Sequence, residues 1–147
     1  MKLFAISDLH LSNPVNMDAF LAMEKRPEDW LILAGDIAER PETLEIAFRH
    51  ASQSFACVIW VPGNHELWAL PDENGDRVCG TARYKHLVDV ARAHGVLTPE
   101  DPYPFWPGEK EGDTPLVIAP LFLLYDYSFG PKGMTRDEIV AWARETK

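Results

Sequence analysis

The chain is acidic and of ordinary size for one domain. It has 147 residues, of which 46% are hydrophobic and 25% charged, a composition that favours a folded domain over a disordered chain. Its formal net charge is -9, from 23 acidic and 14 basic residues, which makes broad binding to nucleic acid or to an anionic membrane unexpected. A phosphorylated substrate is not excluded, because a bound dication can reverse the sign of a site locally.

The start of the chain and its cysteines predict a cytoplasmic setting. Met1 and Lys2 lead into a short apolar run that ends at Ser7, so no signal peptide is predicted. No apolar stretch is long enough to span a bilayer. Cys57 and Cys79 have neither metal-site nor redox spacing, which is typical of reduced cysteines.

Three segments share one pattern, an apolar strand-forming run followed at once by a polar cluster. The runs are residues 3–6, 30–34 and 58–61. Because they are continuously apolar rather than alternating, they predict strands buried on both faces of a sheet.

Helical patterns lie between these runs and after the third. We expect one helix from about Asn16, a second from about Pro41, and a third over residues 81–94 that stops at Gly95. Strands that alternate with helices predict the α/β class, with a mainly parallel sheet in a layered arrangement with flanking helices.

The chain after the third helix has a different character. Residues 101–107 are rich in proline and aromatic side chains, and residues 116–124 form a second long apolar run. Thr135 and Glu138 form a capping box that predicts a last helix. Since such a helix normally returns the chain to another strand, we expect the domain to be incomplete at its carboxyl end. A sheet edge or face left uncovered would be apolar and prone to form a homodimer.

Polar side chains follow each predicted strand at its carboxyl end. Asp8, Asp36 and Asn64 are equally spaced, at the interval of about 30 residues that a strand–helix–strand unit occupies. Open α/β sheets place their sites where the carboxyl ends of the strands meet. We therefore expect these side chains to converge at one edge of the sheet.

The residue types at these strand ends suit divalent metals. Asp8 and His10 would point the same way in an extended conformation, and a carboxylate with an imidazole suits manganese, iron or zinc better than calcium. Asp36 has lone pairs enough for two ions, and Asn64 offers a neutral carbonyl oxygen. His65 can present a proton to a leaving group. Two ions about 3.5–4 Å apart can activate a water for in-line attack at phosphorus.

Each of these residues, taken alone, also has an ordinary structural explanation. An aspartate after a strand usually forms a turn or caps a helix. The combination is more informative, because three successive strand ends carry metal-competent side chains in one layer. His50, His86 and His94 instead fit ordinary helix positions.

The three clusters resemble the first three signature blocks of the calcineurin-like metallophosphoesterases in order and spacing. The matching segments are Asp8-x-His10, Gly35-Asp36 and Gly63-Asn64-His65-Glu66, and the similarity covers residues 2–68. The resemblance implies a metallophosphoesterase domain over residues 1–147. It also implies a hydrolase of phosphate mono- or diesters that uses two divalent ions such as manganese, iron or zinc.

The same resemblance implies a role for each matching residue. Asp8 and His10 would hold the first ion, Asp36 would bridge the two ions, and Asn64 would hold the second. His65 would assist the leaving group, which makes Asp36 and His65 the expected catalytic residues.

The second half departs from the family pattern. The family has further histidines there, two of them in a Gly-His-x-His block, whereas the only histidines here after His65 are His86 and His94. Three interpretations stay open: a hydrolase present as its amino-terminal portion, a non-catalytic short form that acts as a binding or scaffold domain, and a site completed by histidines of a partner chain.

The sequence does not select a substrate. Small phosphodiesters, phosphomonoesters and phosphoproteins all remain open, while the acidic surface disfavours a DNA nuclease. Trp68, close after the histidine motif, is the better candidate for a pocket residue. The aromatic cluster at residues 103–106 is more typical of an exposed hydrophobic edge.

Overall fold

The computed structural model describes residues 1–71, 74–123 and 130–145. A three-stranded sheet forms its first half, with β1 (Leu3–Ile6), β2 (Arg26–Ala34) and β3 (Phe55–Val61) side by side in that order. Both pairings are parallel, and Leu97 adds a parallel bridge beside Ile59 of β3. The predicted α/β class with a parallel sheet is confirmed, and β2 starts earlier than its apolar run.

The helices of the described ranges are α1 (Pro14–Leu21), α2 (Pro41–Ser52), α3 (Gly80–Ala93) and α4 (Arg136–Glu145). α1 and α2 each begin at a proline, which suits the first helical position because its missing N–H would have no partner there. Asn13 caps α1 by accepting the Val15 N–H at 3.0 Å. The three helices predicted before residue 95 are therefore found within a few residues of their expected bounds.

The core lies between one face of the sheet and helices α2 and α3. The apolar face of α2 is fully buried, and on it Phe48 meets Trp60 of β3 edge to face at 5.5 Å between ring centroids. Each such large apolar side chain contributes about 1.5–3 kcal/mol on burial. This packing holds the strands in place, and the strand ends carry the polar clusters.

The two faces of the sheet are covered unequally. Leu31, Leu33 and Trp60 share a face and are at most 3% exposed. On the opposite face Ala5 and Ala34 are exposed. The prediction that the strands are buried on both faces is therefore wrong at these positions of β1 and β2, whereas β3 fits it, since Val58, Ile59 and Trp60 are at most 2% exposed. Continuous apolar sequence shows which residues tolerate burial and not which elements cover them.

The chain after α3 packs more loosely. β4 (Phe105–Trp106) and β5 (Leu116–Val117) pair antiparallel, so only the first two residues of the apolar run at 116–124 form a strand among those described; residue 124 lies outside the described ranges. The capping box at α4 is confirmed, with the Thr135 N–H donating to the Glu138 carboxylate at 2.7 Å, yet no described residue of α4 is buried.

Exposed apolar side chains accompany this second part of the chain. Phe105 is 68% exposed and Leu121 69% exposed. These side chains lie outside the three-stranded sheet, and the expectation that an uncovered edge or face of that sheet forms a homodimer stays a prediction. Over the described ranges, no helix is both long and apolar enough to cross a bilayer.

Candidate metal centre

The carboxyl ends of β1 and β2 lead into loops through backbone conformations that residues other than glycine rarely adopt. Asp8, His10 and Asp36 have φ values of 57°, 45° and 53°, and no other non-glycine residue of the described ranges has positive φ. Such conformations cost on the order of 1–3 kcal/mol each and cluster at functional sites. The strain therefore falls on three of the residues selected from the sequence.

Hydrogen bonds between the loop after β1 (the first loop) and the loop after β2 (the second loop) hold these conformations. The Asp8 N–H donates to the Gly35 carbonyl at 3.0 Å, and the His10 N–H donates to the Asp36 carbonyl at 3.0 Å. The predicted extended conformation of residues 8–10 is wrong, because this ladder bends the chain at both positions. The rule that side chains two residues apart on a strand point the same way consequently does not apply to Asp8 and His10.

Three side chains meet at this edge of the sheet. One ligand atom from each of His10, Asp36 and His65 lies within 4.8 Å of the other two. Three ligands about 2.1 Å from one ion lie roughly 3.0–3.6 Å apart when their angles at the ion are about 90–120°, so small side-chain rotations would bring these atoms onto one ion. Two imidazoles and a carboxylate are donors that manganese, iron and zinc accept, and the residues present thus fit a divalent metal.

The remaining predicted ligands lie beside this cluster. Asp8 is exposed, and its carboxylate is outside the group of three. Asn64 precedes His65 in the loop after β3 (the third loop). The His65 N–H donates to Asp36 Oδ1 at 3.1 Å, which brings the third loop against the second loop. His86 is exposed and His94 lies 3.5 Å from Glu45, both as ordinary helix positions.

Close approach of two glycines brings the second and third loops together. A Cβ on Gly35, whose φ is 86°, would lie 2.8 Å from the Gly63 nitrogen, and a Cβ on Gly63 would overlap the Asp36 carboxylate. Glycine is therefore required at both positions by space, and at Gly35 also by conformation. The glycines of the two motifs have a packing role that supports the aspartate.

Glu39 is a candidate site residue that the sequence reasoning missed. Its carboxylate lies 2.8 Å from His65 Nδ1 and 4.0 Å from His10 Nδ1. A hydrogen bond from the Ser12 hydroxyl, and after it the His65 ring, lower the pKa of Glu39 to about 2 against the opposing effect of burial. Because an ionised carboxylate only accepts, Nδ1 of His65 carries the hydrogen and Nε2 is the ring atom left for chemistry.

Glu66 links the second and third loops through hydrogen bonds to their backbone. Fully buried, it accepts N–H groups from Asp36 at 3.0 Å, Ile37 at 2.7 Å and Gly63 at 2.9 Å. Burial raises the pKa of this carboxyl, while the three donors act in the opposite direction. Glu66 thereby satisfies backbone groups that would otherwise be buried without partners.

Arg83 ties α3 to the same loops. Arg83 is 5% exposed, and its guanidinium donates through Nε to the Glu66 carbonyl at 2.7 Å and through an Nη to the Glu39 carbonyl. Burial lowers the pKa of Arg83. Glu39 was open to detection from sequence, because it lies in the loop that follows the motif aspartate; Arg83 gave no signal, since its position in the helix pattern is that of a surface residue.

A cavity of about 420 Å³ adjoins the third loop. Trp68 is among its lining residues, as expected for a pocket residue, and its ring lies 3.8 Å from the His65 ring between centroids. Phe105 and Tyr103 are exposed, which agrees with an exposed hydrophobic edge.

Comparison with known proteins agrees with this geometry. The profile of the calcineurin-like phosphoesterase family matches residues 1–139. The chain is 46% identical over 145 residues to the acyl-carrier-protein phosphodiesterase PptH of Mycobacterium tuberculosis, a match that covers 97% of this chain and 44% of that protein. The crystal structure of phosphopantetheinyl hydrolase (PptH) from Mycobacterium tuberculosis superposes with a TM-score of 0.84 at 44% identity, over 99% of this chain and 51% of that one.

The chain thus spans about half the length of the relatives it matches. The family profile covers most of the chain, and the strand-end clusters lie within the matched residues. The chain belongs to the calcineurin-like phosphoesterase family and has its fold.

Proposed function

We propose that the protein carrying this chain hydrolyses phosphate diesters at a centre of two divalent metal ions. The observation that carries the proposal is the meeting of His10, Asp36 and His65 at the strained loop ends, with Glu39 hydrogen-bonded to one of the imidazoles. The similarity to PptH supports a diester, and makes a phosphopantetheinyl group on an acyl carrier protein the first substrate to test.

Metal ions would be held by His10, Asp36, Asp8 and Asn64, with Asp36 shared between them. Bound ions would supply Lewis acidity toward the phosphoryl oxygens and acidify the attacking water. Asp36 suits the shared position because its carboxylate has lone pairs for two ions while one oxygen also accepts the His65 N–H. Manganese is the ion we would test first.

His65 is proposed to protonate the leaving oxygen. The Glu39 carboxylate holds Nδ1–H, so Nε2 can donate to the leaving oxygen only when both ring nitrogens carry hydrogen. The ring is further positioned by Trp68 on one side and the His10 ring, 4.5 Å away, on another. In the neutral ring the same Nε2 atom would serve as a metal ligand. The metal content of a His65 variant therefore distinguishes a proton donor from a ligand.

The setting of the reaction is proposed to be the cytoplasm. Cys57 and Cys79 are both free, which fits a reducing compartment.

The proposal is tested on the full-length protein, stripped with chelator and then supplied with manganese. Release of the phosphopantetheinyl group from the acyl carrier protein is followed by intact mass, with p-nitrophenyl phosphate as a monoester comparison. We expect metal-dependent cleavage of the diester. His65→Ala is expected to keep its manganese and lose roughly 100-fold or more in maximal rate.

Three results would contradict this account. Full activity in excess chelator excludes the metal centre, and a higher rate on the monoester excludes diester preference. Loss of bound manganese in His65→Ala makes that residue a ligand. Tight metal binding without turnover of either substrate would favour the binding or scaffold function.

A further inference from the structure

The cavity beside the third loop has an uncharged, largely apolar lining. Its walls are the turn at Pro62 and Gly63, the amide of Asn64, and the side chains of Leu67, Trp68, Phe122 and Leu123. A volume of about 420 Å³ falls within the range of roughly 300–1,000 Å³ that small-molecule sites occupy. Among the described residues, the lining contains no side chain that would pair with a charged group.

The cavity adjoins the proposed reaction site through two of its lining residues. Asn64 forms part of its wall and is a proposed metal ligand, while Trp68 forms another part and lies against the His65 ring. A phosphate placed at the metal cluster therefore has this cavity beside it as a space for a substituent; another cavity, of about 340 Å³, is lined by Asp8 on the other side of the cluster's loops. An anionic substituent would lose hydration in the cavity beside the third loop without gaining a partner, whereas an apolar one would gain burial against the leucines and aromatic rings.

We propose that this cavity binds an uncharged, largely apolar substituent of the phosphoester and thereby selects the substrate class. This inference rests on the proposed function for the position of the phosphate. It goes further in excluding substituents that carry a negative charge near phosphorus, such as those of nucleotides with additional phosphates. Leu123 is the lining residue best suited to a test, since at 95% exposure its replacement removes no core contact.

The test measures binding to the manganese-loaded full-length protein by calorimetry, so that it does not depend on turnover. The probes are benzylphosphonate and methylphosphonate, which have the same charged head and differ only in the substituent. We expect benzylphosphonate to bind roughly ten-fold more tightly, as burial of one ring predicts. Leu123→Asp should remove most of this preference and leave methylphosphonate binding unchanged.

Leu121→Asp is the matched control, because Leu121 is also exposed, at 69%, and does not line the cavity. It should keep the preference. If Leu123→Asp binds neither probe, Leu123→Lys is tested in its place. Phosphonoacetate carries a negative charge on its substituent, so the Leu123→Lys variant should bind it more tightly than the parent protein does.

Two results overturn the inference: equal affinity of the parent protein for both phosphonates, or equal loss of preference in the two aspartate variants. Failure of the proposed function has a different signature, in which the phosphonates bind as expected but no phosphoester is turned over.

Discussion

The sheet edge that carries the candidate centre and the chain that follows α3 are built by opposite means. At the sheet edge, strained residues are held by backbone hydrogen bonds, and a buried carboxylate and a buried guanidinium close the loops from below. After α3, β4 and β5 have two residues each and the described part of α4 buries no side chain. Apolar sequence is present in both regions, but the buried apolar core of the described residues ends at Val96, shortly after α3.

The comparison teaches that the polar groups, not the apolar ones, give the sheet edge its shape. Burial of Glu66 and Arg83 is tolerated because each meets hydrogen-bonding partners from neighbouring loops. Substitutions should therefore have large effects at the sheet edge and small effects after α3.

The largest effect on stability is expected at Glu66. Glu66→Ala would leave the N–H groups of Asp36, Ile37 and Gly63 buried without an acceptor and would open a cavity. We expect the free energy of unfolding to fall by about 3–5 kcal/mol, measured by urea denaturation. Glu28→Ala, on the exposed part of β2, is the control and should change it by about 0.5 kcal/mol or less. Similar losses of unfolding free energy in both variants would show that the hydrogen bonds of Glu66 do not stabilise the sheet edge.

An intermediate effect, dependent on pH, is expected at Glu39. Its pKa is about 2 in the folded chain against 4.5 in the reference state, so its stabilisation is present above pH 4.5 and is lost as the pH falls toward 2. The stability difference between the parent protein and Glu39→Gln should shrink over that interval in urea titrations.

Ser12→Ala sharpens this prediction, because the Ser12 hydroxyl is the first cause of the low pKa of Glu39. It should remove part of the same pH-dependent difference. A difference that stays constant from pH 6 to pH 3, or that grows as the pH falls, would refute the assigned interaction.

The smallest effect is expected at Phe105. It is 68% exposed in β4, and its strand has only one partner of two residues. Phe105→Ser should change the free energy of unfolding by about 0.5 kcal/mol or less, with unchanged metal binding. A loss as large as that of Glu66→Ala would mean that β4 and β5 are part of a cooperative core, and the contrast between the two regions would fail.

Much of the sheet edge was predictable from sequence because its signals are local. An apolar run of strand length followed by a glycine and an aspartate predicted β2 and the position of Asp36. The conformation of Asp8 was not predictable, since its positive φ depends on a hydrogen bond to Gly35 from another loop. The apolar run at residues 116–124 gave no structural prediction, because strand formation needs a partner edge that composition does not reveal.

The central claim is that Asp36 organises a metal centre at the end of β2, and the most direct test is Asp36→Asn in the full-length protein. Asparagine keeps an oxygen to accept the His65 N–H, so the loop contact should persist while the charge that holds the ions is lost. Bound manganese and turnover are measured together. We predict that metal content falls and that turnover drops by roughly a thousand-fold or more, equivalent to about 4 kcal/mol in the barrier. An Asp36→Asn protein that keeps its metal and its rate would contradict the account.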